Sequence, residues 1–297
     1  MLKNLRFYRI HSDWPESESA LSDALANAPF KPCGAFNERS MGFEAPVENA
    51  GERLCRSLAG ADLVQLRLQS RVLPLAAVRE ALDERVVAFT SRTGKDPSRK
   101  EKRELKDEVY ADLLPKALLK SDRLKAFYLR SEGILAVATP SANNAEHLLD
   151  TLRAAFGSLQ AVPLAYKQSA HSLMTRIFLG DAPTEFGLGR ECRMKDKSEP
   201  KSTVNWLDMD LADSTVRSHV KGGLEVDRLG FQFDGLLRCT LDQDLVVRKI
   251  RLEGLEELDD LDNEDPLARH DAEFTILVGL VARLLGAFKK NLGGYAI

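Results

Sequence analysis

The chain has 297 residues, 44% of them hydrophobic, enough to bury a sizeable core in one large domain or in two to three smaller packed units. A net charge of −3 argues, as a sum, against an obvious nucleic-acid binder, and no run approaches the roughly 18 apolar residues of a membrane helix. Four dispersed cysteines (Cys33, Cys55, Cys192, Cys239) and five histidines at no metal-ligand spacing argue against structural zinc or a disulfide framework, so reduced, mostly buried thiols are expected.

The opening Lys3–Ile10 has strand composition, with Leu5, Phe7 and Arg9 set against Asn4, Arg6 and Tyr8 in an imperfect alternation. It lacks the basic-then-apolar order of a signal peptide, and a cytoplasmic location is expected. Ser17 to Asn27 reads as a short helix with Ser17 as its N-cap. A turn at Pro32–Gly34 precedes a short strand at Met41–Phe43. Leu63–Val72 is a better strand, with Val64, Leu66 and Leu68 against Gln65, Arg67 and Gln69.

From Pro74 the period lengthens to about 3.6, with Val78, Leu82, Val86 and Phe89 on one helical face. A second, highly charged helix starts at Asp96-Pro97-Ser98 and runs from Arg99 to about Lys120, with Leu105, Val109, Leu113 and Leu114 as its apolar stripe. Pro115 must kink it or end its first part. Leu124–Arg130 and Ile134–Thr139 flank Ser131-Glu132-Gly133 as a hairpin, and Asn143–Phe156 follows as a helix stopped at Gly157.

Ala161–Leu164 reads as an apolar connector and sets a soft boundary between an N-terminal α+β half, 1–164, with a charged helical arm at about 74–120, and a C-terminal α+β half, 165–297. Beyond it stand a helix near Ser169–Leu179, strands near Glu191–Lys195 and Val204–Leu211, and a helix at Ala212–Val220. The clearest local signal is a hairpin in which Leu229, Phe231 and Phe233 lead into the tight turn Asp234-Gly235 and Leu237, Cys239 and Leu241 return. Leu245–Leu252 adds a third antiparallel strand. The stretch from Glu253 to Asp265 is strongly acidic without one basic residue, and Ala268 to Lys289 forms a long amphipathic helix. The fold class is therefore α+β, with antiparallel sheets and packed helices.

Chemistry-bearing motifs are few. No phosphate-binding glycine loop is present, and Gly187-Leu188-Gly189 is only a fragment of a dinucleotide fingerprint. Asp208-Met209-Asp210 and Asp242-Gln243-Asp244 place carboxylates at i,i+2, which admits a metal-dependent nuclease, although turn and surface roles are commoner for such pairs. Ser169-Ala170-His171 and Arg269-His270-Asp271 hold triad residue types without any implied geometry. Neither cofactor nor metal is expected.

Basic segments remain. Lys95, Arg99, Lys100, Lys102, Arg103, Lys106 and Lys116 crowd the arm, and Arg190, Arg193, Lys195, Lys197 and Lys201 form a second cluster. Such groups suit phosphate contacts, which carry affinity without sequence preference, although a Lys/Glu-rich helix is more often a solvated face.

Several strings, in order along nearly the whole chain, resemble the recombination-associated RdgC family: Leu2-Lys-Asn-Leu-Arg-Phe-Tyr-Arg9, Phe30-Lys-Pro-Cys-Gly34, Met41-Gly-Phe43, Leu73-Pro74, Leu105-Lys-Asp-Glu-Val109 with Leu113-Leu-Pro-Lys-Ala117, Leu152-Arg-Ala-Ala-Phe-Gly-Ser-Leu159 with Val162-Pro-Leu164, and Arg269-His-Asp-Ala-Glu-Phe274. The resemblance implies a homodimer of horseshoe-shaped subunits closed into a ring around DNA. It also implies binding of single- and double-stranded DNA with little sequence preference, restraint of RecA-promoted strand exchange, and a nucleoid-associated, non-enzymatic role. On it, Lys95, Arg99, Lys100, Lys102, Arg103, Lys106, Lys116, Arg190, Arg193 and Lys195 become the expected phosphate contacts, with Lys221 as a further candidate.

The same resemblance puts Leu118 at the apolar gate between subunits, where relatives can carry phenylalanine. Lys95 stands where an arginine can occur, and Asp208-Met209 fall where a relative can have Lys-Gln. The competing readings are the nuclease built on Asp208, Asp210, Asp242 and Asp244, and an interaction scaffold that dimerises through its C-terminal helix.

Overall fold

The computed structural model describes residues 2–47, 51–196, 198–199, 202–254 and 265–296. Its fold is α+β, with a large antiparallel sheet and seven α-helices among the described residues. In chain order the first elements are β1 (Asn4–Ile10), α1 (Glu18–Leu25), β2 (Arg39–Glu44), β3 (Cys55–Leu58), β4 (Ala61–Val72), α2 (Leu75–Thr93), α3 (Arg99–Leu113), β5 (Leu118–Leu129), β6 (Ile134–Val137) and α4 (Ala142–Phe156). There follow β7 (Ala161–Pro163), α5 (Ala170–Leu179), β8 (Phe186–Asp196), β9 (Thr203–Trp206), α6 (Ser214–Lys221), β10 (Leu224–Phe233), β11 (Leu237–Asp242), β12 (Val247–Leu252) and α7 (Pro266–Asn291).

Two compact units divide the chain. One comprises Met1–Asn27, Ala45–Gln65 and Lys125–Ile297, the other Ala28–Glu44 and Leu66–Leu124, so the bounds fall inside β4 and β5. Residue 164 lies within the first unit, and the charged arm within the second.

In the first unit β5, β6, β1, β12, β11, β10, β8 and β9 are successive neighbours. The Asp234-Gly235 turn that joins β10 to β11 has positive φ at both residues, 50° and 68°, the backbone a two-residue hairpin needs. Leu229, Phe231 and Phe233 of β10 point into a core shared with Leu173, Ile177 and Phe178 of α5 and with Leu277, Val281, Leu284 and Phe288 of α7. The caps inferred for two helices are in place: Ser17 accepts from the Ala20 amide, and Gly157 ends α4 in the left-handed conformation. A buried polar knot completes this unit, in which the Asp62 carboxylate accepts from Trp14 Nε1 at 2.9 Å and Ser57 Oγ at 2.5 Å and pairs with Arg130 at 2.8 Å.

The second unit is thinner. Its helices α2 and α3 bury only Val78, Leu82 and Val109 between them, and its sheet neighbours are β2, β4 and β5. Arg71 on β4 holds the chain after α3, donating from Nη1 to the carbonyls of Leu114, Pro115 and Ala117 at 3.1–3.2 Å.

Several expectations need correction. The charged helix ends at Leu113, not near Lys120, because Pro115 offers no amide to continue it. Leu114–Lys116 tighten into one 3-10 turn, Ala117 is extended, and β5 begins at Leu118. Ala161–Leu164 is no mere connector, since Ala161–Pro163 pair with β1 as an edge strand, a position that tolerates a proline. The strand expected over Val204–Leu211 stops at Trp206, where the chain turns through Asp208 at φ 53°. The strand expected from Leu245 starts at Val247, after Leu245 at φ 58°. Strand β3 was not expected at all. Of the acidic run, 255–264 lie outside the described residues, as do Lys197 and Lys201.

Candidate nucleic-acid interface

Helix α3 begins with a capping box: Ser98 Oγ accepts from the Glu101 amide, and the Glu101 carboxylate accepts from the Ser98 amide at 2.8 Å. Those bonds hold the Glu101 carboxyl below its ordinary range. The cap fixes the helical register, and the register sorts the charges. Arg99, Lys102, Arg103 and Lys106 stand at i, i+3, i+4 and i+7 and so share one face; all four are exposed and make no ion pair among the described residues.

The acidic residues of α3 are drawn elsewhere. Glu108 and Asp112 stand on the side of α3 away from the stripe, where Arg85 of α2 reaches Asp112 at 2.7 Å and Glu108 at 3.8 Å. Lys100 lies off the stripe and approaches Glu104 at 3.9 Å. Lys95, just past the left-handed Gly94 cap, and Lys116, in the turn clamped by Arg71, are both exposed without an ion pair among the described residues. The next side chain but one after Lys116, Leu118, is 80% exposed.

The expected cluster on β8 is built differently. Arg193 and Lys195 converge on Asp227, which is 3% exposed; the Arg193 Nε and Lys195 Nζ each lie 2.5 Å from a carboxylate oxygen. Half of that pair's charge is therefore balanced internally. Arg190 donates to the Asp208 carboxylate at 2.7 Å and to its carbonyl at 3.0 Å, which pins the turn after β9. Lys221 is the last residue of α6.

Structure adds cations that sequence reading passed over. By strand alternation the sheet face opposite Leu229 and Phe233 carries Arg228 on β10, Arg238 on β11 and Arg248 and Arg251 on β12, and an irregularity in β12 brings Lys249 to the same face. Arg228 pairs in register with Arg193 and Asp242, its Nε is buried without a hydrogen-bond partner, and burial together with the neighbouring Arg193 and Arg248 lowers its pKa. Three strand-borne arginines crowd around two buried carboxylates there, because Arg248 in turn holds Asp242 at 2.8 Å. The signal was the run Val247-Arg248-Lys249-Ile250-Arg251, whose basic residues break a simple alternation.

The paired aspartates have local employment. Asp210 accepts from the Ala212 amide at 2.9 Å, and Asp242 accepts from the amides of Asp244 and Val246 as well as from Arg248. Among the described residues no group of three or more His, Cys, Asp or Glu side chains could hold a metal ion. Asp271 is taken by Arg56, which holds its carboxyl below the ordinary range, and His171 faces the Val226 carbonyl at 3.0 Å. All four cysteines are free and buried, and among the described residues no helix is long and apolar enough to cross a membrane.

The family model described as "Putative exonuclease, RdgC" matches residues 1–295. "Recombination-associated protein RdgC" of Shewanella oneidensis is 32% identical over 297 residues, covering 98% of this chain and 97% of the relative. The proteins of the same name from Shewanella sp. strain MR-4 and Shewanella baltica strain OS223 are 32% and 31% identical with the same coverage. On a match along essentially its full length, the chain belongs to the RdgC family of recombination-associated proteins.

Proposed function

We propose that the protein is a non-enzymatic DNA-binding protein that closes as a homodimer into a ring around duplex DNA, also binds single strands, and restrains RecA-dependent strand exchange on the nucleoid. The observation that carries the reading is the stripe of Arg99, Lys102, Arg103 and Lys106, four exposed cations on one helical face with no acidic partner among the described residues. Such groups neutralise backbone phosphates without reading bases. Lys95, Lys100 and Lys116 are further phosphate contacts of the arm in this reading, and Arg190, Arg193 and Lys195 of β8 contribute with the charge that Asp208 and Asp227 leave unbalanced. Leu118, large, apolar and 80% exposed, suits the gate at which a second subunit would cover it. Action is then steric: a ring that slides on DNA obstructs filament growth and strand exchange where it sits.

The test compares linear and covalently closed circular duplex in a salt series, with particle size measured in the same buffer. Dimers that remain on circles at salt concentrations that release linear DNA support encirclement; equal release from both overturns it. Magnesium-dependent degradation of either substrate would favour a nuclease instead, and absence of affinity at low salt a protein-interaction scaffold.

A further inference from the structure

In the first unit, the sheet face that bears Arg238 and Arg251 holds a hollow of about 460 Å³. Two glycines set its floor, over which the Glu191 side chain lies. Three residues of β8, Gly189 to Glu191, oppose the single Gly230 of β10, and a Cβ on Gly189 would lie 2.5 Å from the Gly230 carbonyl. A Cβ on Gly230 would meet Glu191 Cγ at 2.8 Å. Because Gly230 has none, the Glu191 side chain crosses it to reach Thr240 Oγ1 and Lys249 Nζ.

A second irregularity shapes the wall. Arg238 pairs with Arg251 and Thr240 with Arg248, so β12 spends two residues where β11 spends one, and the extra residue, Lys249, sits at φ 53°. A lysine in the left-handed region is strained, and the strain here places its amine over the hollow instead of along the strand. Arg251 is exposed and makes no hydrogen bond or ion pair among the described residues. The lining carries four cations (Arg190, Arg238, Lys249, Arg251) and two carboxylates (Glu191, Asp208), and Glu253, outside the lining, pairs with Arg238 at 3.1 Å, so the excess is one positive charge, carried by Arg251.

A phosphate monoester carries a charge of about −1.5 to −2 at neutral pH, and forked guanidiniums match its oxygens. The volume falls in the range of small-ligand sites and leaves room for a sugar beside the phosphate. We propose that this hollow binds the phosphate ester of a nucleotide, with Arg251 and Arg238 on the phosphate oxygens and Lys249 beneath them. The site is separate from the α3 stripe and does not depend on it. Its ligand is either a free mononucleotide or one nucleotide of a DNA strand, which share the non-bridging phosphate oxygens that the guanidiniums grip, although the strand's diester carries one charge where the monoester carries nearly two.

The experiment is calorimetric titration of the full chain with thymidine 5′-monophosphate and with inorganic phosphate at low ionic strength. Arg251→Ala, which breaks no contact among the described residues, and Lys249→Gly, which removes the amine while relieving the backbone, should each weaken nucleotide binding about tenfold or more. Replacing the four stripe residues by alanine should leave it unchanged. Displacement of bound nucleotide by a single-stranded oligonucleotide assigns the site to DNA, and simultaneous binding assigns it to the free nucleotide; either supports the phosphate site. No binding at millimolar nucleotide, or unaltered affinity in both variants, overturns the proposal whatever the stripe does with DNA.

Discussion

Replacing Arg99, Lys102, Arg103 and Lys106 together by alanine isolates the electrostatics of the arm from its folding. None of the four takes part in an ion pair among the described residues, the Ser98–Glu101 capping box is untouched, and alanine is the best helix former, so α3 should survive. If each side chain neutralises one phosphate, the slope of log affinity against log salt should flatten by about 0.9 per contact, or about 7.2 for the eight stripe residues of the homodimer. Over a fourfold rise in salt from about 50 to 200 mM, wild type should then lose on the order of 10,000-fold more affinity than the variant. Fluorescence anisotropy on two duplexes of unrelated sequence, each in a salt series, measures both the slope and the absence of sequence preference. Lys100→Ala, which removes a cation already near Glu104, should shift the slope by no more than one contact per subunit. A quadruple variant that melts like wild type and keeps its slope would refute the assignment and move the phosphate contacts off α3.

Further outcomes follow from the body of the fold. Asp62→Asn leaves Trp14 Nε1 and Arg130 without a fully buried carboxylate and should cost on the order of 3 kcal/mol in urea unfolding, whereas a loss under about 1 kcal/mol would show the knot to be dispensable. The bond from Arg56 holds the Asp271 carboxyl below its ordinary range, so the folded protein binds fewer protons there than the unfolded chain. Its contribution is complete above the unfolded value near pH 3.9 and fades as pH falls through the folded one. Arg56→Gln should therefore lower stability at pH 6 and converge with wild type at the acid end, and a constant difference between the two curves would contradict this. Burial pushes the thiols of Cys55 and Cys192 up to about 12, so alkylation at pH 8 should be slow until denaturant is added, and rapid native labelling of both would contradict their burial.

What could be read ahead of the structure was what local chemistry decides. The Asp234-Gly235 hairpin, the Ser17 cap and the Gly157 stop depend on a few adjacent residues, and each is present. So is the helical face of α7, which buries Phe274, Leu277, Val281, Leu284 and Phe288. Readings failed where distant partners decide. Ala161–Pro163 become a strand only because β1 offers an edge, and Leu118–Arg123, six exposed residues with no useful alternation, become one because β5 pairs within the sheet. The same limit applies to the site. Charge alone could name Arg99 and Arg193 together, but only tertiary structure separates an arginine with no ionic partner from one tied to a buried aspartate.

That distinction also resolves the tension between a net charge of −3 and a phosphate-binding surface. The second unit carries 16 basic and 12 acidic residues, a net +4, which leaves −7 for the rest of the chain. Eight acidic residues of that remainder stand between Glu253 and Asp265, so without this one segment the remainder would be near neutral. At physiological salt a charge is felt over roughly 8 Å, which makes the local set of partners, not the molecular total, the quantity a phosphate meets. On α3 that set is four cations without an ionic partner among the described residues, because the helix turns Glu108 and Asp112 to its other side, where Arg85 holds them. Exchanging Arg85 for alanine should therefore loosen the seam between α2 and α3 yet leave the salt slope of duplex binding unchanged, and a slope altered by a full contact would refute the separation of the two faces.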